Sequence, residues 1–155
     1  LTVALAAQAG ANLVYESAGM LASLLAASLE ALVVDNDMLG AINRTLRGID
    51  VNPDTLSRQA IDEVTSGVGH FLGHDQTLRL MQSEYVYPNV SDRLSPNDWI
   101  DAGASDVADR AHAYVKRVLS THFPSHVSRK ADEIIRERFP IRLPVEDVLG
   151  TSGRW

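Results

Sequence analysis

A mostly α fold with one or two short strands is what the sequence predicts. Apolar residues recur at three- and four-residue spacing through most of the 155-residue chain, the period of a helix with one buried face. Helix start signals recur as well, at Asn52-Pro53-Asp54 and at Ser95-Pro96-Asn97-Asp98, whereas strand chemistry is confined to brief runs.

In order, Leu1 to Gln8 forms the end of a helix, with Gly10 as its stop. Ala11-Asn12-Leu13-Val14-Tyr15 is a short apolar run closed by Glu16-Ser17-Ala18-Gly19, and it suits a buried strand. Helix, glycine, short strand, small-residue loop and long helix is the order of an α/β unit whose parallel partner strands come from elsewhere. Met20 to Arg47 is the longest periodic stretch, carrying Leu25, Leu29, Leu32, Leu39 and Leu46, with Val33-Val34-Asp35-Asn36 as a point where it divides into two helices or continues as one. Gly48 ends it. Asn52 caps and Pro53 opens the next helix, with Leu56, Ala60, Ile61 and Val64 on one face, until Gly67-Val68-Gly69 breaks it.

A helix then starts at His74 or Asp75 with Leu78, Met81 and Tyr85 facing inward, and ends at Pro88. Residues 86–96 form a surface loop. Ser95 and Asp98 make a capping box with Asp in the usual Glu place. Two more helices follow, around 105–121 and 126–138, separated by Pro124. The structured part runs over residues 1–140, and residues 141–155 form an extended tail.

Composition narrows the function classes. With 45% hydrophobic and 22% charged residues the chain is globular rather than disordered. No apolar run reaches the roughly 18 residues that span a bilayer, so no membrane role is expected and the expected location is the cytoplasm. Zero cysteines exclude a thiolate nucleophile and Cys-based metal sites. The sequence opens at Leu1 inside an apolar helical pattern with no basic leader, which points to a piece of a longer chain rather than to a signal peptide. A net charge of −6 is the wrong sign for nucleic acid. All of it lies in residues 1–77, with nine acids against three bases; residues 78–155 hold eleven of each. The asymmetry serves either a cationic ligand or ordinary solvated helix faces.

Two constellations bear on chemistry. His70 and His74 stand four apart, followed by Asp75, the spacing of a helical metal clamp. Gly69 and Gly73 bracket the pair and no Glu follows the first His, so no metal site is expected, and the pair serves a pocket or merely caps a helix. Tyr15, Glu16 and Ser17 occupy the end of the expected strand, where active faces of α/β proteins lie. An aromatic beside a carboxylate suits an alkylammonium ion; the alternative is a Glu capping a helix N-terminus. Nucleophile motifs are absent: no G-x-S-x-G, and lysine only at 116 and 130.

Gly10-Ala11-Asn12-Leu13-Val14-Tyr15, then Ala18-Gly19-Met20-Leu21, Leu32-Val33-Val34-Asp35, Leu46-Arg47-Gly48-Ile49, the GHFLGHDQTLR segment at 69–79 and Glu84-Tyr85 before Pro88 occur in one order. That ordered set resembles the C-terminal part of the trimethylamine methyltransferase family over roughly residues 1–140. The resemblance implies a (β/α)₈ TIM barrel about three times this length, of which the chain is the C-terminal third. It implies methyl transfer from a methylated amine, such as trimethylamine or glycine betaine, to the Co(I) of a cognate corrinoid protein. No cofactor is then bound directly: the corrinoid rides on the partner, and a homo-oligomer is expected. The trimethylamine enzymes carry pyrrolysine, at a position upstream of Leu1. Tyr15, Glu16, Ser17, His70 and His74 are the candidate substrate-binding residues. A rival from another class is a non-catalytic helical interaction domain, and a His/Asp metal hydrolase ranks last.

Overall fold

The computed structural model describes residues 1–67, 69–124 and 126–154. Helix α1 (Thr2–Gln8) is followed by an irregular segment and then by a two-stranded antiparallel hairpin, β1 (Met20–Leu21) and β2 (Ala26–Ala27), in which Met20 pairs with Ala27 and Leu21 with Ala26. Helix α2 (Leu29–Arg47) is the longest element, and α3 (Arg58–Ser66), α4 (Asp75–Glu84), α5 (Pro96–Asp101), α6 (Val107–Thr121), α7 (Arg129–Arg138) and α8 (Val145–Val148) complete the order. The mostly helical class is as expected. No helix among the described residues is long and apolar enough to cross a membrane.

Three expectations need correction. Ala11–Tyr15 is irregular rather than a strand. A strand needs a neighbouring strand for its backbone groups, and among the described residues none lies beside this run; Leu13 and Tyr15 are left exposed. The periodic stretch from Met20 is not helical at its start. Residues 20–27 fold back as the hairpin, and Ser28 caps α2 by accepting from the Ala31 N–H at 3.1 Å. Val33-Val34-Asp35-Asn36 does not interrupt α2, because the acidic side chains there point into tertiary bonds instead of competing for the helix backbone. In the tail, one helical turn forms at Val145–Val148, and its buried Asp147 accepts from Arg154 at 2.6 Å. Trp155 and the Val68 of the Gly-Val-Gly break lie outside the described residues.

The start signals act as their chemistry requires, with one shift. Asn52 Oδ1 accepts from the Asp54 and Thr55 N–H groups, each at 3.0 Å, but the turn it caps stops at Ser57, whose φ of 53° is left-handed. Helix α3 therefore begins at Arg58 rather than Pro53. At α5 the expected capping box is half made: Ser95 Oγ accepts from the Asp98 N–H at 3.3 Å, but Asp98 Oδ2 takes the Ser95 hydroxyl proton at 2.6 Å instead of the Ser95 backbone N–H. At α6, Asp106 and Asp109 form a reciprocal capping box.

Packing is led by α2 against α6. Ala111 and Val115 are buried at that contact, and Glu30 on α2 meets His112 on α6 at 2.9 Å. Helix α2 is also tied by its carboxylates to backbone on either side. Gly19 N–H donates to Asp35 Oδ2 at 2.9 Å, and the loop after α4 donates three backbone N–H groups to Asp37. Arg44 and Arg47, on successive turns of α2, both reach Glu84 Oε2 at 2.6 Å and so fix the end of α4. By contrast Leu78, Met81 and Tyr85, expected to face inward from α4, are exposed. Their helical spacing is real, but nothing among the described residues covers that face.

Gly19 is the one glycine whose replacement tests the hairpin seat. Its φ is +74°, and a Cβ there would lie 3.0 Å from Leu32 Cβ and 3.3 Å from the Ser28 carbonyl oxygen. Gly19→Ala is expected to destabilise the chain by about 2 kcal/mol, read from the urea midpoint. A change under about 0.5 kcal/mol would mean that the hairpin is not seated on α2.

Candidate functional site

Residues from α3 and the turn before it, together with His70 and the start of α4, line an open cleft of about 940 Å³ with Ala60 and Val64 buried in its wall. Helix α3 places Gln59 and Glu63 one turn apart on this face, and Gln59 Nε2 donates to Glu63 Oε1 at 2.7 Å. Across the cleft, His74 is the N-cap of α4: its Nδ1 accepts from the Gln76 N–H at 3.1 Å. That bond assigns the tautomer. With Nδ1 accepting, the proton sits on Nε2, which donates to Glu63 Oε2 at 3.0 Å.

Glu63 is held ionised below the ordinary glutamate range, first by the hydrogen bond from Gln59 and then by the one from His74, against a smaller opposing effect of burial. Its side chain is 53% exposed, so the charge is partly screened. A cation beside it would be attracted weakly if the cleft were fully aqueous and several times more strongly if the cleft were covered. At the mouth, Asp54 accepts from Arg79 Nη2 at 3.1 Å, and its carbonyl oxygen accepts from Gln76 Nε2 at 2.7 Å, which ties the turn before α3 to α4. Three further lining groups, Arg58, His70 and Asp75, make no side-chain hydrogen bond or ion pair among the described residues.

The structure thus brings His70 and His74 to one cleft, in different states: His74 has both nitrogens engaged and His70 has both free. With no lone pair left on His74, the pair does not form a metal clamp, and no group of three or more potential ligands occurs among the described residues. Tyr15, Glu16 and Ser17 do not line this cleft. Tyr15 is exposed, Glu16 adopts a left-handed φ of 55°, and Ser17 Oγ donates to the Val14 carbonyl oxygen at 3.2 Å. Glu16 is not the cap of α2, whose N-cap is Ser28, twelve residues later. The carboxylate that faces the histidines is Glu63, which sequence reasoning missed. The available signal was the Gln59/Glu63 pair four apart, on the side of α3 shared with Ala60 and Val64.

Residues 1–142 match the family described as trimethylamine methyltransferase (MTTB). The chain belongs to that family. Among curated members of the trimethylamine methyltransferase family, it is 39% identical over 123 residues to trimethylamine methyltransferase MttB of Methanosarcina barkeri, covering 79% of this chain and 24% of that protein. The counterpart from Desulfitobacterium hafniense is 32% identical over 136 residues, 88% of this chain and 27% of its own length. Glycine betaine methyltransferase of Desulfitobacterium hafniense is 27% identical over 132 residues, 85% of this chain and 27% of its own. The chain spans about a quarter of the length of these relatives. The GHFLGHDQTLR segment, one of the motifs that carry the resemblance, supplies His70, Gly73, His74, Asp75 and Gln76 to the cleft and, through Arg79, its brace.

Proposed function

We propose that the cleft between α3 and α4 helps to hold a tertiary or quaternary methylamine while one of its methyl groups passes to a corrinoid carried by a separate protein. The observation that carries this reading is an ionised Glu63 oriented by Gln59 and His74 beside a free imidazole, in a chain of the trimethylamine methyltransferase family. The family's methylated-amine substrates, named in its relatives, agree with a site built around a carboxylate.

When docked, the corrinoid supplies the nucleophile as Co(I). This chain is then asked only to place the donor. Glu63 attracts the ammonium head, the His74 Nε2–H fixes the carboxylate's direction, and His70 stands at the mouth for contact with the donor or with the corrinoid partner. Tyr15, Glu16 and Ser17, outside this cleft, offer a separate aromatic–carboxylate contact at which the same kind of cation would bind. Action in the cytoplasm, as a homo-oligomer and within a (β/α)₈ barrel, belongs to the same proposal.

The test is a titration of the chain with tetramethylammonium, trimethylamine and glycine betaine, followed by the ring NMR signals of His70 and His74. Glu63→Gln is expected to weaken binding about fivefold, a modest loss because the charge is half-exposed. Because the carboxyl is held below its ordinary range, wild-type binding should persist as pH falls through about 4.5 and fade below it. Glu16→Gln in the same titration separates the Tyr15–Ser17 turn from the cleft. Unchanged binding in Glu63→Gln would sink the assignment.

A further inference from the structure

A single compact chain of 16.9 kDa exposes about 7,700 Å². This one exposes 12264 Å², an excess of about 4,500 Å² over that compact value. Many large apolar side chains are among the exposed residues, Leu24, Leu25, Leu29 and Leu32 included. Between α2 and α6 runs an open groove of about 410 Å³, walled by Leu29, Leu32, Val33, Tyr114, Val118 and Leu119. Next to it stands the β1–β2 hairpin, whose loop holds Ala22, Ser23 and Leu24 in succession at φ of 50°, 54° and 70°. Left-handed non-glycine residues cost about 1–2 kcal/mol each and persist where surrounding structure imposes them. Here the turn is closed by the Leu25 N–H donating to the Ala22 carbonyl oxygen at 3.2 Å and by the β1–β2 pairing, but nothing among the described residues packs over it: residues 21–27 are all exposed, Leu25 at 88%.

We infer that the α2/α6 groove and the adjoining hairpin are the seat of an amphipathic helix from the part of the family polypeptide that lies outside the matched segment. A channel between two packed helices accepts a third helix whose apolar residues repeat at three- and four-residue spacing. The area decides between occupants. A standard interface between two proteins covers about 800 Å² on each side and a large obligate dimer about 2,500 Å², both below the excess that the whole chain exposes. Cover on this scale is that of a domain interior, and the relatives have about three times as much further polypeptide with which to supply it. The inference rests on family membership and not on the methyl-transfer reading.

Hydroxyl-radical footprinting with mass-spectrometric readout tests it. The chain alone is compared, over a range of concentrations, with a chimera in which it replaces the matched segment of the Methanosarcina barkeri relative. Leu25, Leu32 and Leu119 are expected to react freely in the chain alone and at least tenfold more slowly in the chimera. A photo-crosslinker at residue 119 of the chimera should recover a peptide from outside the matched segment with apolar residues at helical spacing. Footprinting the intact relative at the positions aligned with Leu32 and Leu119 gives the same comparison without relying on the chimera to fold. Protection that grows with concentration in the chain alone would assign the groove to a second copy and overturn the inference. Undiminished reactivity in the intact relative, or a crosslinked peptide without helical spacing, would also overturn it. Since amine binding is not read in any arm, failure here leaves the cleft assignment standing and the reverse holds too.

Discussion

Asp37→Ala is expected to lower the stability of this chain by about 3 kcal/mol, one of the two largest effects of any single substitution proposed. Asp37 lies in the middle of α2 and is buried, yet it is fully satisfied. Oδ1 accepts from the Asn89 backbone N–H and from Asn89 Nδ2, both at 2.9 Å, and Oδ2 accepts from the N–H groups of Val90 at 2.7 Å and Ser91 at 3.1 Å. Burial pushes the carboxyl up, but these four bonds together outweigh it and bring it down to about 2 from the ordinary value near 3.8. A carboxyl depressed by folding stabilises fully above its unfolded value and loses that contribution as pH falls through its folded one. Here the contribution is roughly 2 kcal/mol, and it should disappear between pH 3.8 and about 2. Urea unfolding as a function of pH checks both statements. Asp37→Asn keeps one acceptor but turns an amide donor toward N–H donors, so it should recover less than half of the loss and flatten the acid limb. An unchanged acid limb in Asp37→Asn would mean that another carboxylate governs acid unfolding.

The second large effect is expected at Arg110 on α6. Its Nε donates to the Val90 carbonyl oxygen at 2.6 Å, and its Nη1 donates to the Ser105 carbonyl oxygen, which Trp99 Nε1 also bonds at 2.8 Å. Val90 is 2% exposed, so water does not replace a lost partner. Arg110→Ala should therefore cost about 2 kcal/mol. Asp37 and Arg110 hold opposite ends of Val90, the N–H and the carbonyl, and neither can keep the loop in place alone. The double variant should accordingly be less destabilised than the sum of the singles, with a coupling of about 1 kcal/mol. Additivity within about 0.3 kcal/mol would show that the two ends of the loop are held independently.

These two residues also show what was legible in the sequence. Helix starts were readable because capping is a local affair. Ser95 with Asp98 follows from side chains three residues apart, and so does the Asn52 turn. The reason α3 nonetheless begins at Arg58 is the left-handed Ser57, and no residue type there announces it. Periodicity placed α2, α6 and α7 but could not say which apolar faces would be covered. Leu78 and Tyr85 carry a helical pattern and stay exposed, whereas Asp37 breaks the pattern and is buried. Of the candidate site, the two histidines were readable from their spacing, and Glu63 was not. It reaches His74 from another helix, eleven residues away in the chain, and its identity as the facing carboxylate depends on how α3 and α4 meet.

The charge asymmetry divides along the same line. Composition established that all the net charge of −6 sits in residues 1–77, but not what the acids do. Tertiary structure assigned them separate tasks: Asp35 and Asp37 hold backbone N–H groups, Glu30 meets His112, and Glu63 faces the cleft. By itself the sequence determined the helical class, the caps and the family, because those depend on neighbours along the chain or on the order of whole motifs. Which carboxylate is buried, which histidine is free and which apolar face lies open were decided only by tertiary structure. Each depends on groups brought together from distant positions, and hydrogen-bond satisfaction and burial act across those distances.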